Sequence, residues 1–276
     1  MALHEYADVP QGSEEWLTLR RGMVTASTVG QLLEVTTLGA DEYDCPRCDA
    51  PANDPCVSIA KGKAGSPIQT MHSQRTTAAT EAGVTRVRPA RNDYSKRLTL
   101  LLVCERITGT SDEYENFTSA DMLRGQLDEP IARDIYSGHY AEATETGFMV
   151  RDDWGWDLGY SPDGLVGDHG LIEVKSPRAK EHLRTILADE VPSRYMAQLQ
   201  AALLVSGREW IDYVSFSGGM PLWTKRVYAD PKWAEAIVDA VSAFEQVAEE
   251  MTANYDRATR GLPATEARIN DLGLVF

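Results

Sequence analysis

The sequence GYSPDGLVGDHGLIEVKSP, residues 159–177, places two acids ten residues apart and a lysine two residues after the second acid. Pro-Asp-Gly forms a turn readily, because proline fixes φ and glycine tolerates positive φ. The run LIEVK predicts a strand, in which Glu173 and Lys175 project to one face while their apolar neighbours face the other way. If this strand pairs antiparallel with the one before it, Asp163 lies near Glu173.

Two converging carboxylates repel each other strongly unless a cation lies between them. Carboxylate oxygens are ligands suited to Mg²⁺ or Mn²⁺, and a lysine beside them can stabilise an anion or orient a water molecule. Asp163, Glu173 and Lys175 therefore form a candidate metal site. The alternative is a hairpin with a solvated polar face, because Asp-Gly turns and exposed Glu-x-Lys pairs are common.

A second set of residues with metal-binding chemistry lies in CPRCDAPANDPC and the following TMHSQR. Cys-x₂-Cys brings two thiolates to one metal ion, so Cys45 and Cys48 form the usual first half of a zinc site. Cys56 and His72 complete a Cys₃His set, and structural Zn²⁺ would order a segment that is poor in apolar residues. Disulfides and a redox-active Cys-x-x-Cys are the alternatives. Disulfides are disfavoured in the cytosol, and no strand precedes the motif.

The cysteine motif belongs to a stretch from about 38 to 93 that is rich in Gly, Pro, Ser and Thr and has little periodicity. A loop of this length inside a domain is unusual, which indicates an insertion with its own source of order. We therefore expect a single domain over 1–276 that contains a zinc-binding insert at 38–93. The fourth cysteine, Cys104 in LLLVCERI, is expected to be a buried helix residue.

Helical and strand-like patterns alternate through the rest of the chain, which favours an α/β or α+β fold. Ser13 can cap a helix over EEWLTLR, and Thr25 or Ser27 can cap a second helix over STVGQLLEV. Strands are predicted at GFMV, DLGY, GLIEVK, WIDYVSF and LWTKRVY, and an amphipathic last helix from about Pro231. The helical run SADMLRGQLDEPIARDIYSGHY can present a common apolar face of Met122, Leu127, Ile131 and Ile135.

The net charge of −15 at first argues against nucleic acid as a partner. Between Cys45 and Arg106, however, ten basic residues stand against five acids, so this segment carries +5 and the remainder −20. This asymmetry is compatible with DNA held in one groove, and equally with a solvated basic loop. No apolar run approaches the roughly 20 residues of a membrane helix, and the N-terminal segment has no signal-peptide pattern. We expect a cytoplasmic protein that has no membrane partner.

The layout of Pro-Asp, nine residues and then Glu-x-Lys at a strand end is that of the PD-(D/E)XK nuclease superfamily. Together with the early W…LRRGMVTAS and the later YMAQLQAALLVSG, it resembles the phage lambda exonuclease-type viral recombinase family. The likeness spans most of the chain outside 38–93, with the motifs in the same order. It implies a restriction-endonuclease-like α/β core, in which a central mixed sheet is flanked by helices.

The resemblance implies roles for the acids and the lysine. Asp163 and Glu173 resemble the core metal ligands, Lys175 the catalytic lysine, and the backbone carbonyl of Val174 a further ligand. Two Mg²⁺ or Mn²⁺ ions held in this way would neutralise charge on a phosphodiester during its hydrolysis, while the lysine positions the attacking water.

Two further active-site residues follow from the resemblance. Family members carry an acid on a preceding helix in a Gly-x-x-x-Glu pattern, and GQLDE assigns this role to Glu129, with Asp128 as the competitor. Gln198 in YMAQLQ resembles the active-site glutamine, and Tyr195 lies one turn earlier on the same helical face. The alternative for Gln198 is a polar residue on a helix surface.

The segment LRRGMVTAS resembles the part of the family that binds the 5′-phosphate of the DNA end being cut. The residues carried over are Arg20, Thr25, Ser27 and Ser161. A guanidinium clamps phosphate bidentately, and capping hydroxyls at a helix start favour an anion. Without the resemblance, the threonine and the serine would be plain helix caps.

The function implied is a metal-dependent 5′→3′ exonuclease that digests linear double-stranded DNA to 3′ single strands. These strands would serve homologous recombination of a phage or prophage, with a single-strand annealing protein as partner and a homotrimeric ring as a possible assembly. A structure-specific endonuclease on the same core and a zinc-dependent DNA-binding protein with an inactive core are the alternatives. Survival of closed circular DNA would separate the exonuclease from the endonuclease.

Overall fold

The computed structural model describes residues 2–111 and 120–266. These residues form two compact units, one from Glu34 to Arg88 and the other from the residues before and after that segment. The range of the first unit nearly coincides with that of the insert predicted at 38–93. The assignment of one domain with an insertion stays a prediction.

The larger unit contains two four-stranded mixed sheets. The strands are β1 (Leu3–Tyr6), β2 (Val24–Thr25), β5 (Phe148–Arg151), β6 (Leu158–Tyr160), β7 (Gly164–Val166), β8 (Gly170–Lys175), β9 (Trp210–Ser215) and β10 (Trp223–Tyr228). One sheet has the strand order β1-β5-β6-β2 and the other β10-β9-β8-β7, and in each sheet one neighbouring pair is parallel, β2 with β6 and β8 with β9. The predicted α/β class with mixed sheets and flanking helices is confirmed.

Among the described residues, six α-helices belong to the same unit. They are α1 (Glu14–Arg20), α3 (Asp93–Thr108), α4 (Ala120–His139), α5 (Ala179–Ala188), α6 (Met196–Ser206) and α7 (Pro231–Thr259). Helix α6 contacts strands of both sheets and also α7, and its apolar residues are buried on all sides, as expected of a core helix. Helix α7 buries the stripe of Ile237, Val241 and Phe244, as its spacing predicted.

Helix α1 begins where the sequence places it, because the Ser13 side chain accepts a hydrogen bond from the backbone of Trp16 at 3.2 Å. The second predicted helix, over STVGQLLEV, is wrong. The segment forms one 3₁₀ turn at Val29–Leu32 and then enters a strand at Leu33–Thr37. The reason is strand pairing at both ends: β2, just before the segment, aligns in parallel with β6, and the Ala26 N–H donates to the Gly159 carbonyl at 2.8 Å. The strand at Leu33–Thr37 pairs with the strand at Thr85–Pro89.

Helix α4 packs on its sheet through a face that shares only Ile135 with the predicted one. Ala132 and Tyr136 are fully buried against β8 and β9, whereas Leu127 and Ile131 are 64% and 50% exposed. The Tyr136 hydroxyl explains this choice, because it donates at 2.6 Å to the buried carboxylate of Asp212 on β9. A buried acid that needs a donor therefore sets the orientation of the helix.

The smaller unit is built on β3 (Leu33–Thr37), β4 (Thr85–Pro89) and α2 (Ser73–Ala82). Its two strands pair with each other, and its buried cluster consists of Cys45, Ala50 and Cys56 with Cys48 and Ile68 packed against them. So small an apolar cluster cannot by itself order a segment of this length.

Cys104 is exposed on α3, so its predicted burial is wrong; the face of α3 that packs inward carries Leu98, Leu102 and Val103 instead. Within residues 2–111 and 120–266, no helix combines the length and the apolar character needed to span a bilayer.

Replacement of Tyr136 by Phe should lower the free energy of unfolding by about 1.5–3 kcal/mol, because the Asp212 carboxylate loses a buried donor. The remaining partner of that carboxylate, Arg226, binds both of its oxygens at 2.8 and 2.9 Å and should keep the fold intact. Urea unfolding of the two proteins measures the difference. Tyr140→Phe is the matched control, since Tyr140 stacks on Tyr136 but is 55% exposed; an equal loss in the control would contradict the assignment.

Candidate active site

The two acids of the opening motif meet as the sequence predicted. Strands β7 and β8 pair antiparallel with Gly164 opposite Ile172, so Asp163 and Glu173 are neighbours across the hairpin. Asp163 is 7% exposed and Glu173 2% exposed. The backbone N–H of Val174 donates to Asp163 Oδ2 at 2.7 Å, which fixes the direction of that carboxylate.

A third carboxylate reaches the same place from α4. Glu129 lines a cavity of about 570 Å³ together with Asp163 and Glu173. It accepts a hydrogen bond from Arg133 Nη2 at 2.6 Å. The competing residue, Asp128, does not line this cavity and accepts instead a short hydrogen bond from the Ser176 hydroxyl. The geometry therefore favours Glu129 over Asp128 as the third acid.

Two nitrogen donors converge on Glu173. Lys175 Nζ lies 2.7 Å from Glu173 Oε1, and Gln198 Nε2 on α6 lies 2.5 Å from the same oxygen. The predicted face of β8 is thus confirmed, and Gln198 points into the site rather than to the helix surface. Tyr195 lies beside them, with its ring centroid 5.6 Å from the lysine nitrogen.

Tyr160 also contacts Glu173, and the sequence analysis did not identify it as a site residue. Its buried hydroxyl lies 3.4 Å from Glu173 Oε2, and it lines the cavity. The signal available was its place at the end of β6, three residues before Asp163. A tyrosine in a short apolar strand is otherwise expected in the core, so its chemistry depended on the tertiary structure.

Burial and mutual repulsion set the charge state of the acids. Burial raises the pKa of Asp163 well above its ordinary value, and the carboxylates of Glu173 and Glu129 raise it further. The pKa of Glu129 is also raised, first by burial, although Arg133 opposes the change. Burial by itself would lower the pKa of Lys175, but Glu173 and Asp163 raise it, so the lysine is held as a cation.

The donor set fits a divalent metal ion. Three carboxylates converge in a cavity that Val174 also lines, and oxygen ligands of this kind suit Mg²⁺ or Mn²⁺. The raised pKa values of Asp163 and Glu129 follow from burial and from negative charge that a cation would compensate.

The four residues carried over as phosphate binders line the same cavity. These are Arg20, Thr25, Ser27 and Ser161. The Arg20 guanidinium lies over the Trp16 ring at 4.3 Å, and Trp16 Nε1 donates to the Ser161 hydroxyl at 2.7 Å. The Thr25 and Ser27 hydroxyls lie 3.0 Å apart. They extend from β2 and the turn after it, and not from the predicted helix start, because β2 pairs with β6.

The predicted zinc ligands come together in the smaller unit. One ligand atom each from Cys45, Cys48, Cys56 and His72 lies within 4.8 Å of every other. Cys45 Sγ and His72 Nδ1 are 3.5 Å apart. His72 immediately precedes the first residue of α2. The start of this helix therefore places His72 beside the cysteines, although it lies sixteen residues after Cys56 in the chain.

The environment of Cys56 favours metal binding, whereas that of Cys45 favours the thiol in the absence of a metal. A hydrogen bond from the backbone N–H of His72 lowers the pKa of Cys56 to about 7, whereas burial raises the pKa of Cys45. The thiolate is the form that binds zinc. The convergence of three cysteines and one histidine agrees with the predicted zinc site.

Arg75 on α2 is the residue of the insert that sequence reasoning missed. It is fully buried, and its guanidinium donates to four backbone carbonyl groups at 2.7 to 3.0 Å. Those carbonyls belong to Asp41, Tyr43, Pro51 and Asp54. A planar cation with five donors can therefore organise a loop that lacks secondary structure.

Comparison with known proteins agrees with the predicted fold and family. A sequence model of the YqaJ-like viral recombinase domain matches residues 69–209. A model of phage zinc finger domains described as DNA-binding matches residues 14–92. No curated protein matches the chain.

Two solved structures resemble the chain over nearly its whole length. An alkaline exonuclease, LHK-Exo, from Laribacter hongkongensis has 26% identity and a TM-score of 0.64, covering 91% of this chain and 100% of its own. The same exonuclease in complex with dAMP has 27% identity and a TM-score of 0.62, with the same coverage. These matches define a viral recombinase-type fold. The protein belongs to the YqaJ-like viral recombinase domain family.

Replacement of Asp163 by Asn should stabilise the protein at pH 8 without divalent metal. A folded pKa above the ordinary 3.8 means that the stability linked to Asp163 is complete below about pH 4 and is lost as the pH rises towards the folded pKa. The loss is at most about 1.4 kcal/mol per pH unit, and the neutral variant does not undergo it. Urea unfolding in EDTA between pH 4 and pH 8 measures both slopes.

The control is Asp152→Asn, because a hydrogen bond from His4 lowers the pKa of Asp152. This variant should gain no stability at pH 8. Added Mg²⁺ should raise the melting temperature of the wild type more than that of Asp163→Asn. A variant of Asp163 that is less stable than the wild type at pH 8 would contradict a raised pKa for this carboxyl.

The purified protein should contain one zinc ion per chain, and Cys48→Ser should remove it. Loss of the metal should leave the insert open to protease, since zinc supplies most of its ordering free energy. Elemental analysis and limited proteolysis between Glu34 and Arg88 measure the two effects. Cys104→Ser is the matched control, because Cys104 is exposed and lies outside the cluster. Zinc retained by the Cys48 variant would refute the four-ligand site.

Proposed function

We propose that the protein is a metal-dependent 5′→3′ exonuclease that hydrolyses phosphodiester bonds in linear double-stranded DNA. The products would be 5′-mononucleotides and 3′ single strands for phage-type homologous recombination. The observation that carries the proposal is one cavity with two kinds of residue. Acids that suit a metal ion and residues that suit a terminal phosphate both line it.

The acids form the part of the site that would act on the scissile bond. Glu129, Asp163 and Glu173 would hold one or two Mg²⁺ or Mn²⁺ ions, with the Val174 carbonyl as a further ligand. The metal would neutralise charge on the phosphate and activate water when bound. Lys175 is held as a cation beside Glu173, where it can orient a water molecule and stabilise negative charge.

The remaining polar residues position other groups. Gln198 and Lys175 both donate to one oxygen of Glu173, which leaves the second oxygen towards Tyr160. Arg20 is fixed over Trp16 and would clamp the terminal 5′-phosphate, with Thr25 and Ser27 as hydroxyl donors. Recognition of a terminal phosphate rather than of bases gives an exonuclease without sequence preference.

The comparisons support this proposal. The family is a viral recombinase family, and the solved relative with full-length coverage is an alkaline exonuclease that was also crystallised with dAMP. The zinc-binding insert resembles phage zinc finger domains described as DNA-binding, so we assign DNA contact to it. Its basic residues are consistent with that role. We further expect a single-strand annealing protein as partner, a homotrimer as the assembly, and action in the cytoplasm of a bacterial host.

Lys175→Ala should lower the rate of DNA degradation by about 10²–10⁴, the range for loss of a positioned catalytic group. The assay uses Mg²⁺ and linear duplex DNA with either a 5′-phosphate or a 5′-hydroxyl, beside closed circular DNA. The wild type should degrade the 5′-phosphorylated linear DNA fastest and leave the circle intact. Lys225→Ala is the matched control, because Lys225 forms an exposed ion pair with Asp189 outside the cavity.

Three results would change the assignment. Cutting of the closed circle would make the protein an endonuclease on the same core. Binding of DNA without cleavage under Mg²⁺ or Mn²⁺ would leave a zinc-dependent DNA-binding protein with an inactive core. Equal activity of the wild type and Lys175→Ala would remove the lysine from the reaction.

A further inference from the structure

We infer that Arg124 and Arg178 form a second anion site at the edge of the cavity, which takes a backbone phosphate of bound DNA. The carboxylate of Asp121 occupies this site in the free protein and is displaced by the phosphate. The inference rests on the proposed function, because the ligand is DNA. It concerns the DNA that flanks the cleaved bond, whereas Arg20 is assigned to the terminal phosphate.

One carboxylate is held by two guanidinium groups at this place. Arg124 Nη1 lies 2.6 Å from Asp121 Oδ1, and Arg178 Nη2 lies 3.2 Å from Asp121 Oδ2. The Arg178 Nε also reaches Asp121 Oδ1 at 3.3 Å. Two cations around one anion leave a net charge of +1, in a geometry that suits an anion of higher charge. Phosphate accepts the same paired N–H donors as carboxylate.

The arginines come from two elements that also form the active site. Arg124 lies in α4, five residues before Glu129, which is about 7.5 Å along the helix axis. Arg178 caps α5, three residues after Lys175 at the end of β8. A DNA strand carries one charge per roughly 3.4 Å of axis, so a phosphate at this site belongs within a few nucleotides of the scissile bond.

The position of Arg124 is fixed independently of Asp121. Its Nη2 donates to the backbone carbonyl of Ser176 at 2.9 Å, and Ser176 and Asp121 both line the cavity. The guanidinium is therefore already placed at the cavity edge before an anion binds. Such preorganisation reduces the entropy lost when DNA binds.

A role in stability alone does not account for this arrangement. The side chains of Arg178 and Asp121 are 74% and 51% exposed, and ion pairs this exposed contribute little to folding. Exposure is, however, what a site for an incoming phosphate needs. The Glu181–Arg184 pair on α5 provides a comparison. Like Asp121 and Arg124, its residues are three positions apart on a helix, and both are exposed, but neither lines the cavity.

The test measures binding of a 5′-phosphorylated duplex by fluorescence anisotropy, with Ca²⁺ in place of Mg²⁺ to slow cleavage, over a series of salt concentrations. Asp121→Asn should tighten binding about three- to tenfold, because the competing carboxylate is gone. Arg178→Gln and Arg124→Gln should weaken binding, and each should reduce the slope of log K against log salt by about 0.9, the value for one phosphate contact. Glu181→Gln and Arg184→Gln are the matched controls and should stay within about twofold of the wild type.

A gain of affinity in Asp121→Asn cannot result from misfolding, which keeps the test decisive even if an arginine variant is unstable. Equal tightening in Asp121→Asn and Glu181→Gln would reduce the effect to net charge and overturn the site. Unchanged or weaker binding by Asp121→Asn would overturn it as well.

The same proteins are assayed for cleavage in Mg²⁺, which separates the two hypotheses. If the wild type degrades linear DNA but the Asp121, Arg124 and Arg178 variants bind DNA like their controls, only the anion site is overturned. The predicted binding pattern without cleavage would support the anion site and refute the exonuclease. Absence of DNA binding by the wild type would overturn both.

Discussion

The convergence of three carboxylates in one cavity, two of them buried and one half-buried, is the constraint on which the rest of the larger unit depends. Glu129, Asp163 and Glu173 cannot all be ionised at such a place without compensating charge. Lys175 supplies one positive charge to Glu173, and Arg133 supplies one to Glu129. Asp163 receives a backbone N–H instead, which lowers its pKa, but burial and the neighbouring Glu173 and Glu129 outweigh this hydrogen bond and raise the pKa. The acids therefore repel one another in the metal-free protein, and binding of a cation would relieve that repulsion.

Rigid secondary structure makes this arrangement possible. The β7–β8 hairpin fixes the spacing of Asp163 and Glu173 by backbone pairing, and β8 is held from its other side by the parallel strand β9. Helix α6 brings Gln198 to Glu173, and α4 brings Glu129. Strand β6, between β2 and β5, also needs a glycine at position 159, because a Cβ there would lie 2.4 Å from the Phe148 ring. Side chains on packed strands and helices hold their geometry better than side chains on loops.

The insert has little apolar surface to bury, so a hydrophobic core cannot order it. Its order comes from polar chemistry at its centre, where the Cys₃His cluster lies next to the buried guanidinium of Arg75. Arg75 Nη1 lies 3.6 Å from the sulfur of Cys56, so the cation and the metal-binding cluster share one neighbourhood. Zinc and arginine together replace the hydrophobic core that a segment of this size could not build.

The sequence by itself determined the local chemistry of this protein. The alternation in LIEVK placed Glu173 and Lys175 on one face, because strand periodicity acts over a few residues. The short spacing of Cys45 and Cys48 indicated a metal site for the same reason. The turn predicted at Pro-Asp-Gly is wrong: Gly164 begins β7, and the turn of the hairpin lies at 167–169. Glu129, Gln198 and the phosphate-binding set were placed by resemblance to a family, and their roles stay predictions.

Only the tertiary structure decided what depended on distant partners. The segment after Thr25 became a short turn and a strand because β6 was available to pair with Val24 and Thr25, and β4 with Leu33–Thr37. The buried face of α4 was set by Asp212, which lies 76 residues from Tyr136. Tyr160 and Arg75 acquired their chemistry from distant neighbours, and so did Asp121 through Arg178, 57 residues away. Hydrogen-bond partners far apart in the chain carry no periodicity, so these features could be found only once the fold was known.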